Sequence, residues 1–302
     1  MPLIHERTFR VRHHECDIHR IVRDASYLRF MQETAFDASA AAGYGQRRYV
    51  AMGKLWLIRE TDVDFISPLR YGDTVRVKTW VADFRRVQSR RLYELTKEGS
   101  GELVARAHTD WAFLDRATGR PALIPDEIIA AFFPEGAPTE VHPRKRFPVA
   151  PPPPAGIVVL RRRVEWRDLD AVGHVNNATY ADYVEDIARQ AAANYGWPAA
   201  AMAAEGFDLA TREMCIDYRL PALPGDELEI ATWLSEVTPD STLRHTTIVR
   251  VSDGELLAQA RTGWGCVDVS TREAMAAPEA FLDGLMPNFA LHFHRTSNLV
   301  AP

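Results

Sequence analysis

Two aspartates, Asp17 and Asp170, stand in matching surroundings, each followed ten positions later by a tyrosine, Tyr27 or Tyr180, on a stretch of helical apolar spacing. An aspartate with the ordinary carboxyl pKa of about 3.9 is ionised at neutral pH. It can attack an electrophilic carbon directly or draw a proton from water. Asp24 and Asn177 are good N-cap residues and Gly43 and Gly196 good stops, so the spacing predicts helices over Ala25–Ala42 and Ala178–Tyr195. Both aspartates then lie just outside a helix N-terminus. Free N–H groups near Asp24 and Asn177, with the helix dipole behind them, suit an oxyanion that develops there. His174, present only in the second copy, either orients the loop or touches a substrate. The plain alternative is that each aspartate is a turn or cap residue; its recurrence is what favours chemistry.

The elements that must position these residues come from an internal repeat. Gly72-Asp73, ahead of an alternating stretch ending Thr79-Trp80, recurs 153 positions on as Gly225-Asp226 ahead of Thr232-Trp233. The same offset carries Val11 to Val164, Asp17 to Asp170, Tyr27 to Tyr180, Gly43 to Gly196, Trp111 to Trp264 and Pro125 to Pro278 without insertion or deletion. Two copies of one fold follow. Each opens with a short strand, around Phe9–Arg12 or Arg162–Trp166, then the aspartate loop, then the helix. Tyr27, Met31, Ala35 and Ala38, like Tyr180, Val184, Ile187 and Ala191, give each helix one apolar face. The rest alternates: Val75, Val77, Thr79 and Val81 form one strand face, as do Leu228, Ile230, Thr232 and Leu234, and Asp253-Gly254 marks a hairpin before Leu256–Val267. The expected class is α+β, two tandem repeats of an antiparallel sheet wrapped around a central helix. The expected divisions are 1–135, a proline-rich linker 136–157 containing Pro151 to Pro154, and 158–302.

Bulk properties remove several classes. The chain has 302 residues, 46% hydrophobic and 25% charged, with a net charge of −5. That is ordinary globular composition and gives no reason to expect nucleic acid as partner. No apolar stretch is long enough to span a membrane, and the N-terminus has no signal pattern, so a cytoplasmic location is expected. Three cysteines, without ligand spacing, argue against a disulfide framework or zinc site. Neither a metal nor any other cofactor is expected. Serine-elbow, Walker, dinucleotide-binding and metal-helix motifs are all missing from the sequence.

The stretch Asp168-Leu-Asp170-Ala-Val-Gly173-His174-Val-Asn176-Asn177 resembles the Asp-Leu-Asp-x-x-x-His-Val-Asn-Asn motif of acyl-ACP thioesterases. The first copy, Glu15-Cys-Asp17 through Val22 to Tyr27, is similar to the pattern of the 4-hydroxybenzoyl-CoA thioesterase-like group. Both groups have the hotdog fold. The resemblance implies a tandem double hotdog, its repeats paired as an intrachain pseudo-dimer, that hydrolyses acyl thioesters of coenzyme A or acyl carrier protein. It implies Asp170 and Asp17 as catalytic groups, with His174, Asn177 and Asp24 beside them and Tyr27 and Tyr180 near substrate. This sequence departs from the pattern at Val172, where acyl-ACP thioesterases carry asparagine, and in the first copy at Arg20, in place of the usual glycine, and at Ile21, in place of His174.

Arg85, Arg86, Arg90 and Arg91 form a basic run that is either a solvated strand face or a grip for the phosphates of coenzyme A or an acidic carrier protein. A homodimer of the chain is a further expectation. Two rivals remain open: a hotdog hydratase or dehydratase using an aspartate–histidine pair, and a non-catalytic acyl-thioester binding protein.

Overall fold

The computed structural model describes residues 1–137, 142–237 and 241–290. The chain divides into two compact units, Met1–Phe147 and Pro148–Pro302. In the first, β1 (Ile4–Arg10) leads through the aspartate loop into α1 (Asp24–Ala41). Then come α2 (Gln46–Ala51), β2 (Lys54–Phe65), β3 (Thr74–Phe84), β4 (Gln88–Lys97), β5 (Leu103–Asp115) and α3 (Asp126–Phe132). The second runs β6 (Val158–Arg163), α4 (Asn177–Asn194), α5 (Ala199–Ala204), β7 (Phe207–Tyr218), β8 (Glu227–Val237), β9 (Thr242–Arg250), β10 (Leu256–Asp268), the short β11 (Ala274–Met275) and α6 (Glu279–Leu285).

Within the first unit the strand order is β1-β3-β4-β5-β2, and within the second β6-β8-β9-β10-β7, antiparallel throughout. The two orders are identical once the repeat offset is applied. Even the irregularities recur. Register slips fall between Val81 and Asp83 and again between Leu234 and Glu236, and near Arg59 and again near Arg212. A bulge re-aims the strand that carries it, so both sheets bend at equivalent places.

The predicted faces are the buried ones. Tyr27, Met31, Ala35 and Ala38 on α1, and Tyr180, Val184, Ile187 and Ala191 on α4, are all 4% exposed or less. Val75, Val77, Thr79 and Val81 face the interior of the first unit, as do Leu228, Ile230, Thr232 and Leu234 in the second. Fully burying one large apolar side chain contributes roughly 1.5–3 kcal/mol, so these stripes hold each helix against its sheet. Gly43 and Gly196 follow the helices at φ +83° and +89°, where a side chain would be strained.

Some boundaries differ from the sequence-based expectation. The opening strands start earlier, because β1 pairs with β3 from Ile4 and β6 with β8 from Val158. Both long helices begin one residue sooner, so the N-caps are Arg23 and Asn176 rather than Asp24 and Asn177.

Candidate active site

Each aspartate sits inside a tight hairpin closed on itself. In the first unit Cys16 bridges Val22 and Arg23 N–H donates to Glu15 O at 3.0 Å; in the second Leu169 bridges Val175 and Asn176 N–H donates to Asp168 O at 2.9 Å. The Asp17 N–H donates to Ile21 O (2.8 Å) and the Asp170 N–H to His174 O (3.0 Å). One carboxylate oxygen organises the turn. Asp17 Oδ1 accepts from His19 N–H and Ile21 N–H, both at 2.9 Å, and Asp170 Oδ1 accepts from Val172 N–H at 2.8 Å. The turn role proposed as the plain alternative is therefore real, and it consumes one oxygen of each carboxylate.

The other oxygen distinguishes the copies. Asp170 Oδ2 receives a long 3.4 Å contact from Asn176 Nδ2, while Asn176 Oδ1 accepts from Ala178 N–H at 2.9 Å. Asn176 thus ties the carboxylate to the first turn of α4. Thr179 N–H is taken by Asn176 O at 2.9 Å. Among the described residues the Asn177 N–H is the donor left at the helix mouth, and the Asn177 carbonyl accepts from the Tyr218 hydroxyl at 3.1 Å. In the first copy Arg23 takes the place of Asn176 and donates instead to Cys16 O at 3.2 Å. Asp24, the first residue of α1, puts an acid in the first turn of its helix, where the dipole favours it.

His174 is close to Asp170 without being locked to it. Its Nδ1 lies 3.1 Å from Val175 O and 3.9 Å from Asp170 Oδ1, and Nε2 is buried without a hydrogen-bond partner among the described residues. If Nδ1–H donates to Val175 O, Nε2 is left as an acceptor.

The loops differ most sharply at their tips. Gly173 has φ +90°, and Arg20, at the same register, has φ +64°. A non-glycine residue in this left-handed region costs about 1–2 kcal/mol.

Tyr27 and Tyr180 are placed in the interior. Their hydroxyls accept from Leu69 N–H (3.0 Å) and Ala222 N–H (3.2 Å), again one repeat apart, and their rings meet Phe65 and Tyr218 edge-on. Burial pushes the Tyr180 hydroxyl up to about 12 and raises that of Tyr27 as well. Each tyrosine fastens a loop to its helix through the hydroxyl oxygen.

The four arginines do not form one patch. Arg90 grips Asp110 with two bonds, Nε to Oδ1 at 2.7 Å and Nη2 to Oδ2 at 2.6 Å. Arg85 donates to His142 O at 2.7 Å, Arg91 is buried, and Arg86 is exposed. Strand alternation sends neighbours to opposite faces, and a linker segment occupies the outer one. Arg144 pairs with Asp83 at 2.6 and 2.7 Å and reaches Asp110 at 3.2 Å, His142 N–H donates to Asp83 at 2.8 Å, and Arg90 donates to Pro143 O at 3.3 Å. Glu60, His108 and Asp110 bring three potential ligand atoms within 4.8 Å of one another. Asp110, however, already faces two guanidinium groups, which disfavour a cation there.

Residues 2–132 match the family of acyl-ACP thioesterase N-terminal domains, and residues 164–285 match the thioesterase-like superfamily. Each repeat thus matches a different thioesterase family model, and the fold is a tandem pair of hotdog repeats. Among proteins of known sequence it is 26% identical over 274 residues to a chloroplastic acyl-[acyl-carrier-protein] hydrolase of Cuphea viscosissima, covering 87% of this chain. The chain spans 63% of that relative's length. A Lactobacillus plantarum protein assigned as an oleoyl thioesterase superposes with TM-score 0.75 at 18% identity, covering 87% of this chain and 96% of the other. The 12:0-ACP thioesterase of Umbellularia californica does so with TM-score 0.68 at 20% identity, covering 86% and 93%. These two likenesses establish the fold.

Proposed function

We propose that the chain hydrolyses acyl thioesters, acyl-ACP or acyl-CoA, to a carboxylic acid and a free thiol. The observation that carries this reading is the repeated placement, just ahead of a long helix, of an aspartate whose Oδ1 is fixed by loop N–H groups, with Asp170 Oδ2 tied through Asn176 to the first turn of α4. A carboxylate so held is oriented yet keeps a lone pair for attack on the thioester carbon or for deprotonating water. The negative charge that then develops on the carbonyl oxygen needs a donor, and the Asn177 N–H, backed by the α4 dipole, is the group we assign. Collapse of the tetrahedral intermediate expels a thiolate, which leaves without a strong general acid; where the aspartate attacks directly, water then hydrolyses the acyl–aspartyl anhydride to the carboxylic acid and restores the carboxylate. The naming of the Cuphea relative supports carrier-protein thioesters as substrates.

We assign most turnover to Asp170, because its loop keeps glycine at the left-handed tip, Asn176 on Oδ2 and His174 alongside, whereas the Asp17 loop has Arg20 and Ile21. Release of free thiol from acyl-ACP and acyl-CoA by the intact chain tests the reading. Asp170→Asn preserves the turn acceptor while removing the charge, so kcat should fall on the order of a hundredfold or more, with Asp17→Asn costing less. A stable double Asn variant with near wild-type kcat would remove both residues from the mechanism. The 3.9 Å approach of His174 to Asp170 is the one feature that suits a hydratase. The same assay separates the two, since a hydratase leaves the thioester intact and releases no thiol.

A further inference from the structure

Asp168, two positions ahead of Asp170, takes no part in the chemistry above, yet its carboxylate is buried. Burying a carboxylate is costly unless it is both paired and hydrogen-bonded, and both kinds of partner are in place. Oδ2 accepts from Glu165 N–H at 2.9 Å, and Arg162 Nη2 on β6 lies 4.0 Å from the same oxygen. The Arg162 guanidinium also stands 4.0 Å from the centroid of the Tyr183 ring on α4, and its Nη1 lies 3.6 Å from the exposed Asp186. Tyr183 is buried, and its hydroxyl makes no hydrogen bond of ordinary geometry among the described residues. Burial, and next to it the Asp168 carboxylate, push the pKa of that hydroxyl up, so its proton stays in place. One cation thus joins β6, the buried acid and α4.

The first repeat fills the same three positions with Phe9, Glu15 and Phe30. Phe9 stacks on Phe30 with ring centroids 4.9 Å apart. Glu15 is only half-buried, and its Oε2 accepts from Arg12 N–H at 2.7 Å. An aromatic stack in one repeat is therefore a charged bridge in the other, and the bridge accompanies the loop that keeps Gly173, Asn176 and His174.

A short path leads from the bridge to Asp170. Asp168 O accepts from Asn176 N–H at 2.9 Å, the Asn176 amide reaches Asp170 Oδ2 at 3.4 Å, and the Asn176 side-chain carbonyl takes Ala178 N–H at 2.9 Å. Wherever the main chain at Asp168 sits, Asn176 follows, and with it the Asp170 carboxylate and the mouth of α4. A misplacement of about 1 Å at reacting groups can cost on the order of a hundredfold in rate.

We propose that Arg162 and Tyr183 are positioning residues that act through the buried Asp168 to hold Asp170 in register with the first turn of α4. The effect on rate rests on the hydrolase reading above; the brace on Asn176 does not. With the acyl-ACP or acyl-CoA that the intact chain turns over, Arg162→Met should lower kcat roughly tenfold to a hundredfold at unchanged KM. Arg162→Lys, which keeps the charge, should recover most of that loss, and Tyr183→Phe should show a smaller fall of the same kind. Arg162→Met combined with Asp168→Asn removes both charges, so the melting temperature should return while kcat stays low; a merely structural ion pair would restore the two together. Hydrogen exchange at Asn176 N–H should quicken about tenfold in Arg162→Met, while exchange at Arg23 N–H, its counterpart in the first repeat, should not change.

An unchanged kcat in Arg162→Met, a change confined to KM, or a kcat that returns with stability in the double variant overturns the proposal. Should Arg162→Met not fold, the double variant and Tyr183→Phe decide it by the same measurements. If the intact chain releases no thiol from any acyl thioester, the hydrolase reading falls and the exchange at Asn176 still decides the brace: protection lost in the variants keeps it, and protection retained ends it.

Discussion

Arg20 holds a backbone conformation that Gly173 adopts without strain. Replacing it by glycine removes about 1–2 kcal/mol of steric cost and adds roughly 0.5–1 kcal/mol of unfolded-state entropy. Arg20→Gly should therefore raise stability by up to about 1.5 kcal/mol, seen as a higher urea midpoint at unchanged slope. A second test concerns His245. Burial, and next to it the charge of Arg261, depress its pKa from 6.5 to about 4; the ring stacks on Trp233 and its Nε2 lies 2.7 Å from Ser235 Oγ. The unfolded chain therefore takes up a proton before the folded one does. This contribution is fully present above about pH 6.5 and is lost as the pH falls towards 4, by at most about 3 kcal/mol. Thermal melts at pH 7 and 4.5 should show the loss, and His245→Leu, the residue type found at that register in the first repeat, should reduce it. The aspartates and their loop were legible in the sequence because a motif and a repeat coincided there. The destinations of the tyrosine hydroxyls were not, since Leu69 and Ala222 lie 42 residues further along the chain.

At the scale of elements, the two long helices were read to within one residue, because apolar spacing and a terminal glycine are local signals. The opening strands were read too late: what extends them to Ile4 and Val158 is pairing with β3 and β8, which no local pattern records. The arginine run misled for a similar reason. Its outer members meet a linker more than fifty residues away, and proline content alone suggested a stiff free spacer. Instead Arg144 is strapped to Asp83, whose side chain is 2% exposed. Burial alone would raise that carboxyl, but Arg144 and the His142 N–H outweigh it and hold it below the usual range. Arg144→Ala leaves this carboxylate buried and unpaired, a cost of about 3–5 kcal/mol. Chemical denaturation should show that loss, and adding Asp83→Ala should recover most of it.

For the whole molecule, the repeat offset proved the most informative property of the sequence, since it carries strand order, bulges, tyrosine fastenings and aspartate loops alike. Where the register holds but the residue changes, as at Arg20 and Gly173 or Glu135 and Asn288, the copies have diverged in chemistry on one backbone. The order within each sheet also governs how a unit behaves alone. Residues 1–147 end their sheet on β2, a strand of 12 residues, and a long bare edge invites pairing with other chains. The isolated fragment should self-associate in sedimentation velocity at micromolar concentration; a monodisperse, cooperatively unfolding monomer would contradict this.

The strapped linker has a consequence for kinetics. His142, Pro143 and Arg144 are bound to the first unit, and Pro151 O accepts from the Trp233 indole of the second at 3.1 Å. Residues 145–150 lie between these two anchor points, a stretch that spans about 20 Å at full extension. A tether so short presents each unit to the other at a local concentration of at least millimolar order. Encounter between the two is therefore insensitive to dilution while the chain is whole. A single protease cut beside the exposed Lys145-Arg146 pair would turn that encounter into a second-order process.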